Sequence, residues 1–82
     1  MEQKPIGEVT HYYGGLGVAI VKFSRNVEVG ETVQFKGVST DFVQKIDSMQ
    51  FDHKDIQGAK KGQEVGIKTK EKVREKDQVL EA

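Results

Sequence analysis

Polar and apolar residues alternate along most of this chain, and no stretch sustains the 3.6-residue stripe of an amphipathic helix. Residues 7–13, GEVTHYY, read as a first strand. Gly14, Gly15 and Gly17 then supply positions that accept positive φ and mark a tight turn. Residues 17–23, GVAIVKF, are β-branched and apolar on both faces from Val18 to Val21, the composition of a central strand. The polar residues around Asn26 end it, Gly30 turns the chain, and residues 32–36 alternate with Val33 and Phe35 on one face. In the long segment 40–53, Phe42 and Ile46 hold even positions while Met49 and Phe51 hold odd ones. Side chains of a strand alternate strictly, so this change of parity predicts a bulge or sharp bend near Asp47 and Ser48. After a polar turn at Gly62, residues 64–67 start another strand, and residues 78–80 close the series.

These elements predict an all-β fold, a small six-stranded antiparallel β-barrel, closed or nearly closed, forming one domain over residues 5–81. Val9, Val18, Ile20, Val33, Phe35, Ile46, Met49, Val65 and Ile67 are its expected core. Closure would also remove exposed strand edges. The first four residues and the last two read as tails. A chain of 82 residues buries only about 60% of its unfolded surface, so a large enclosed active site is not expected.

Thirteen basic residues balance thirteen acidic ones, which argues against bulk, sequence-independent nucleic-acid binding while leaving room for a local basic patch. There is no cysteine, hence no disulfide framework or thiolate metal site. No apolar run approaches the roughly 20 residues of a spanning helix, and the start MEQKPIGEV is too polar for a signal peptide. The expectation is a soluble cytoplasmic protein without a membrane partner.

The search for chemistry returns absences. The sequence contains no Gly-x-x-x-x-Gly-Lys-Ser/Thr loop, so nucleotide hydrolysis is not expected. The Gly14, Gly15, Gly17 cluster is followed by no helix-forming segment and reads as a hairpin turn. His53 stands near Asp52 and Asp55, but zinc sites need three or four converging ligands, and a solvated strand end is the plainer reading. Ser24, Ser39 and Ser48 lack the context of an activated nucleophile. No catalytic residue, metal or cofactor is therefore expected.

Binding has two candidates. Tyr12 and Tyr13 follow His11, and adjacent strand residues face opposite ways, so one tyrosine packs inward while only the other can stack on a base; Tyr12 is a candidate for that surface. Lys68, Lys70, Lys72 and Arg74 recur at every second position, and an extended strand through them would carry four cations on one face, able to follow a phosphate backbone. Lys60 and Lys61, in the preceding turn, would extend the stripe. Glu71, Glu75 and Asp77 interleave with it, and a solvated, charge-mixed connector is the alternative.

The stretch 59–80, AKKGQEVGIKTKEKVREKDQVL, read together with VEVGETV at 27–33 and IDSMQF at 46–51, resembles the second, β-barrel domain of translational GTPases such as elongation factor Tu. Gly30, Met49, Ala59, Gly62, Val65, Gly66 and Leu80 fall where that family's turn and core residues fall. The resemblance implies a barrel that contacts RNA, tRNA or rRNA, or a ribosome-associated protein. The family's acidic residue before the methionine and its arginine beyond are replaced here by Ser48 and by Phe51-Asp52-His53. Similar barrels occur at the C-terminus of collagenase-like bacterial peptidases and as free-standing translation-factor-like proteins, and this chain, from its methionine to just past the barrel, resembles the free-standing forms or an excised C-terminal domain. The leading reading is a non-catalytic module contacting RNA or a ribosome-associated partner; the alternative is an accessory domain of a collagenase-like peptidase that engages protein substrate or partner. An autonomous hydrolase is a third class, for which no constellation of residues is present.

Overall fold

The computed structural model describes residues 4–82, in which every strand pairing is antiparallel and no helix occurs. Of the expected tails, residues 1–3 lie outside the described residues. The strands are β1 (Gly7–Tyr13), β2 (Val18–Phe23), β3 (Val27–Glu28), β4 (Thr32–Lys36), β5 (Asp41–Lys45), β6 (Met49–Phe51), β7 (Lys54–Ile56), β8 (Gly58–Ala59), β9 (Glu64–Lys68) and β10 (Gln78–Glu81). Eight form one sheet in the order β5-β4-β10-β1-β2-β9-β6-β7, and β3 pairs with β8 in a separate ribbon.

The all-β expectation holds, but the architecture is an open half-barrel of eight strands and not a closed barrel of six. Segment 40–53 accounts for most of the difference. Its parity change is the bend expected at Asp47 and Ser48 and not a bulge within one strand: β5 pairs with β4, the chain leaves the sheet at Ile46, and β6 resumes beside β9. The even positions Phe42 and Ile46 and the odd position Met49 thus reach the same core from different margins of the sheet. The true bulge lies in β1, where Thr10 is the extra residue between the pairs Val9–Val21 and His11–Ile20.

That bulge and the register of β2 correct two core assignments. Val21 stands opposite Val9 on one side and Val65 on the other, so odd positions of β2 face inward, and Ala19, Val21 and Phe23 are buried. Val18 and Ile20 are only half-buried and flank Gly66 on the outer face. A strand apolar on both faces carries no internal signal for which face is inner. The other expected core residues, Val9, Val33, Phe35, Ile46, Met49, Val65 and Ile67, are buried together, with Phe35 and Phe42 stacked at 5.2 Å.

The stretch between β9 and β10 is better anchored than a solvated connector. Val73 is buried in the core, the Lys76 amide donates to Val9 O at 2.7 Å, and the Asp77 carboxylate, itself buried, accepts from the Thr40 hydroxyl at 2.6 Å and the Arg74 amide at 2.8 Å. Asp77 thereby ties this stretch to the β4–β5 turn.

Candidate functional site

In the order β5-β4-β10-β1-β2-β9 the sheet curls until β5 approaches the end of β9, yet no backbone ladder joins these two strands. The gap is spanned by Gln44. Its inward position between Phe42 and Ile46 follows from strand alternation, and its Nε2 donates to Lys68 O at 2.9 Å while its Oε1 accepts from the Lys70 amide at 2.9 Å. A side-chain amide offers one acceptor and two donors, enough to replace one residue of a missing partner strand. The half-barrel is therefore buttoned laterally by a side chain.

This button builds a recess. Lys45 follows Gln44 on β5, Asp47 and Ser48 lie on the crossing to β6, and Lys68 and Lys70 come from the end of β9; all line one cavity of about 420 Å³. Thr69, between the two lysines, is buried against the same cavity, and its Oγ1 has no hydrogen-bond partner. None of the three lysines is ion-paired among the described residues, where the ion pairs are Arg25–Glu31 and Arg25–Glu81 and the His11 Nδ1 lies 3.4 Å from Glu75 Oε1.

The predicted stripe is divided by the fold. β9 ends at Lys68, and the chain bends at Lys70 and Glu71, so Lys72 and Arg74 leave the line. Lys68 and Lys70 join the seam recess, whereas Lys72 lines a different cavity with Lys36, Asp41 and Glu71. All four side chains are exposed. Lys60 and Lys61 sit in the turn before Glu64, at the end of β9 opposite Lys68, and do not extend the stripe. Tyr12 faces inward opposite Ala19 and packs against the core; Tyr13 faces outward, with its ring edge-on to His11 at 4.4 Å. His53 is exposed at the tip of the β6–β7 hairpin, where it and Asp52 both take positive φ, 63° and 53°.

Sequence reading missed Lys45, Gln44 and Ser48 as partners of Lys68 and Lys70. One signal was available: a polar residue between two inward apolar ones, Phe42 and Ile46, must find hydrogen-bond partners inside the fold. Two further features lie elsewhere. A recess of about 470 Å³ is lined by Pro5, Gly7, Phe23 and Gly62 together with the charged residues Glu8, Lys22 and Lys61. On the far margin, Arg25 bridges Glu31 at 3.1 Å and Glu81 at 3.0 Å. Partial burial alone would raise the Glu31 carboxyl, but the Glu28 amide and the Arg25 guanidinium outweigh it and hold the carboxyl below its ordinary value.

No family model matches the chain. Over 75 residues it is 39% identical to an uncharacterized protease of Methanocaldococcus jannaschii, and over 76 residues 30% identical to a collagenase of Porphyromonas gingivalis. Each alignment covers 90% of this chain but only 18% and 21% of the relative, so the chain spans about a fifth of the length of the curated relatives it matches. Among solved structures, the C-terminal domain of a putative U32 peptidase from Geobacillus thermoleovorans superimposes with a TM-score of 0.89 at 23% identity, covering 96% of this chain and 100% of that one. A second structure of that domain gives 0.88 at 22% identity, covering 98% and 92%. The chain is thus related, over nearly its whole length, to a segment of collagenase-like proteases, and it has the fold of a U32 peptidase C-terminal domain.

Proposed function

We propose that the chain is a non-catalytic module of the collagenase-like peptidase type, which holds a protein substrate or partner while the chemistry is done elsewhere. One observation carries this reading: the similarity runs through 90% of the chain yet takes in only about a fifth of each protease, so the match is to one part of those proteins. The shallow surface agrees with it. A recess lined by lysines, a serine and an aspartate offers contacts for a polypeptide, and Ser48 makes no side-chain hydrogen bond to a lysine or to Asp47 of the kind that activates a nucleophile.

Charge counts against the leading expectation from sequence, an RNA-contacting module of translation-factor type. A zero-net-charge chain whose basic stripe breaks at Lys70 presents no continuous cationic track for a phosphate backbone. The test is direct: the chain immobilised on a biosensor is exposed to unfolded protein substrates, gelatin and reduced carboxymethylated casein, and to a tRNA fraction at physiological salt. Concentration-dependent binding of the proteins with no response to tRNA is expected; binding of tRNA alone overturns the proposal.

A further inference from the structure

We infer that the seam recess is a carboxylate-binding site through which the module takes hold of an acidic segment of its protein partner. The inference rests on the protein-binding reading above and names the chemistry of what is bound.

The first support is the charge assembled there. Lys45, Lys68 and Lys70 line one cavity against a single carboxylate, Asp47, in a chain whose charges otherwise cancel. Three unpaired ammonium groups brought together raise the local potential and are stabilised by an incoming anion. The second support is that the cluster is built. Lys45 stands on β5 and Lys68 on β9; the crossing from β5 into β6, which ladders with β9, brings them near, and the two 2.9 Å hydrogen bonds of Gln44 fix the end of β5 to the backbone at Lys68 and Lys70. The free donors outnumber the acceptors: Ser48 adds a hydroxyl to the three lysines that line the cavity, while the Thr69 hydroxyl, without a hydrogen-bond partner, is closed to solvent and is not counted among them. A carboxylate brings acceptors and no donor, which is what this inventory lacks.

A nucleic-acid phosphate shares the anionic chemistry, but the recess suits it less. Single-strand binders combine a cationic groove with aromatic platforms for successive bases, and no aromatic residue lines this cavity. The cations beyond Lys70 are interrupted by Glu71 and by the cavity that Lys72 shares with Asp41. A short acidic peptide fits a recess of about 420 Å³; a backbone that must be followed over several nucleotides does not.

The experiment compares labelled hexaglutamate, hexaglutamine and hexauridylate by fluorescence anisotropy at low and physiological salt. It uses the parent chain, a K45Q/K68Q/K70Q variant, its K45R/K68R/K70R counterpart and a K60Q/K61Q control. All substituted side chains are exposed, and equal thermal midpoints confirm folding. Hexaglutamate is expected to bind the parent, to weaken with salt, and to lose roughly tenfold in affinity in the Gln triple variant, as three partly exposed charge contacts imply. The Arg triple variant and the K60Q/K61Q control should retain it, and hexaglutamine should not bind. Equal hexaglutamate affinity in parent and Gln triple variant overturns the site. Hexauridylate held by the same lysines in place of hexaglutamate overturns the occupant. In either case, continued binding of gelatin or casein by the Gln triple variant leaves the protein-binding reading standing, while loss of all protein binding by the parent removes that reading first.

Discussion

Replacing Gln44 by methionine isolates the seam, because methionine keeps nearly the same length and volume and removes only the amide. In the parent, Gln44 is 6% exposed and serves two backbone groups, Lys68 O and the Lys70 amide, each at 2.9 Å. Each lost hydrogen bond costs about 1 kcal/mol net, and each backbone group left buried without a partner raises that toward about 1–3 kcal/mol. Because the recess is open to solvent, water reaches part of the gap, which sets the expectation near the low end, about 2 kcal/mol for the two bonds. A domain of this size has roughly 4–12 kcal/mol in all, so the loss is readily measured. Urea unfolding followed by far-UV circular dichroism gives the stability, and native-state hydrogen exchange reads the Lys70 amide directly. The midpoint should fall with little change in slope, and the Lys70 amide should exchange faster while amides in the β1–β2 ladder keep their order of protection. A stability change under about 0.5 kcal/mol with unaltered Lys70 exchange would refute the seam, since it would mean the core alone holds β5 beside β9.

Two further predictions concern the other tethers. At Gly37 an added Cβ would lie 2.6 Å from Asp77 Cγ, and Asp77 cannot retreat without releasing the Thr40 hydroxyl and the Arg74 amide, so G37A should cost about 1–3 kcal/mol by thermal denaturation while G15A, facing open space, should be neutral; a neutral G37A would show that Asp77 is not fixed. Because the Glu31 carboxyl is held below its usual value of 4.5, its folded form takes up a proton less readily than the unfolded chain; its contribution is present above that value and is lost as pH falls through the folded one. E31Q should flatten that acid limb of the stability profile slightly, as befits a side chain about one-third exposed, and an identical acid limb in parent and variant would count against the Arg25–Glu31 tether.

Sequence made the sheet legible where alternation meets a polar outer face. In β4 and β9 one apolar face opposes one polar face, and Val33, Phe35, Val65 and Ile67 could be assigned inward without ambiguity. It failed in β2, whose apolar residues lie on both faces, and at Asp52-His53, where a tight turn uses two non-glycine residues at positive φ in place of the Asn-Gly or Asp-Gly pairs that betray such turns. The two-residue strands β3 and β8 are too short for any period to show. For the site, the spacing of Lys68 and Lys70 was visible, but their company was not. Lys45 lies 23 positions before Lys68, and only the crossing from β4's side of the sheet to β9's side brings the two together.

Closure and recognition therefore depend on the same side chain. β9 is laddered to β2 on one edge and, at Met49–Ile67 and Gln50–Gly66, to β6 on the other; β5 itself makes no ladder with β9, and beyond Lys68 the Gln44 amide ties the two, with a recess beside it. The lysines cannot be moved together by their own chemistry, because like charges repel, so the convergence of Lys45 with Lys68 and Lys70 has to be sustained by the fold. Gln44 supplies that constraint without adding charge, and an aspartate or glutamate in its place would neutralise the cluster it assembles. The Gln44→Met chain, still folded under mild conditions, should consequently bind hexaglutamate more weakly although all three lysines remain. Unchanged affinity in that chain would show that the lysines act as independent surface charges and that the seam has a structural role alone.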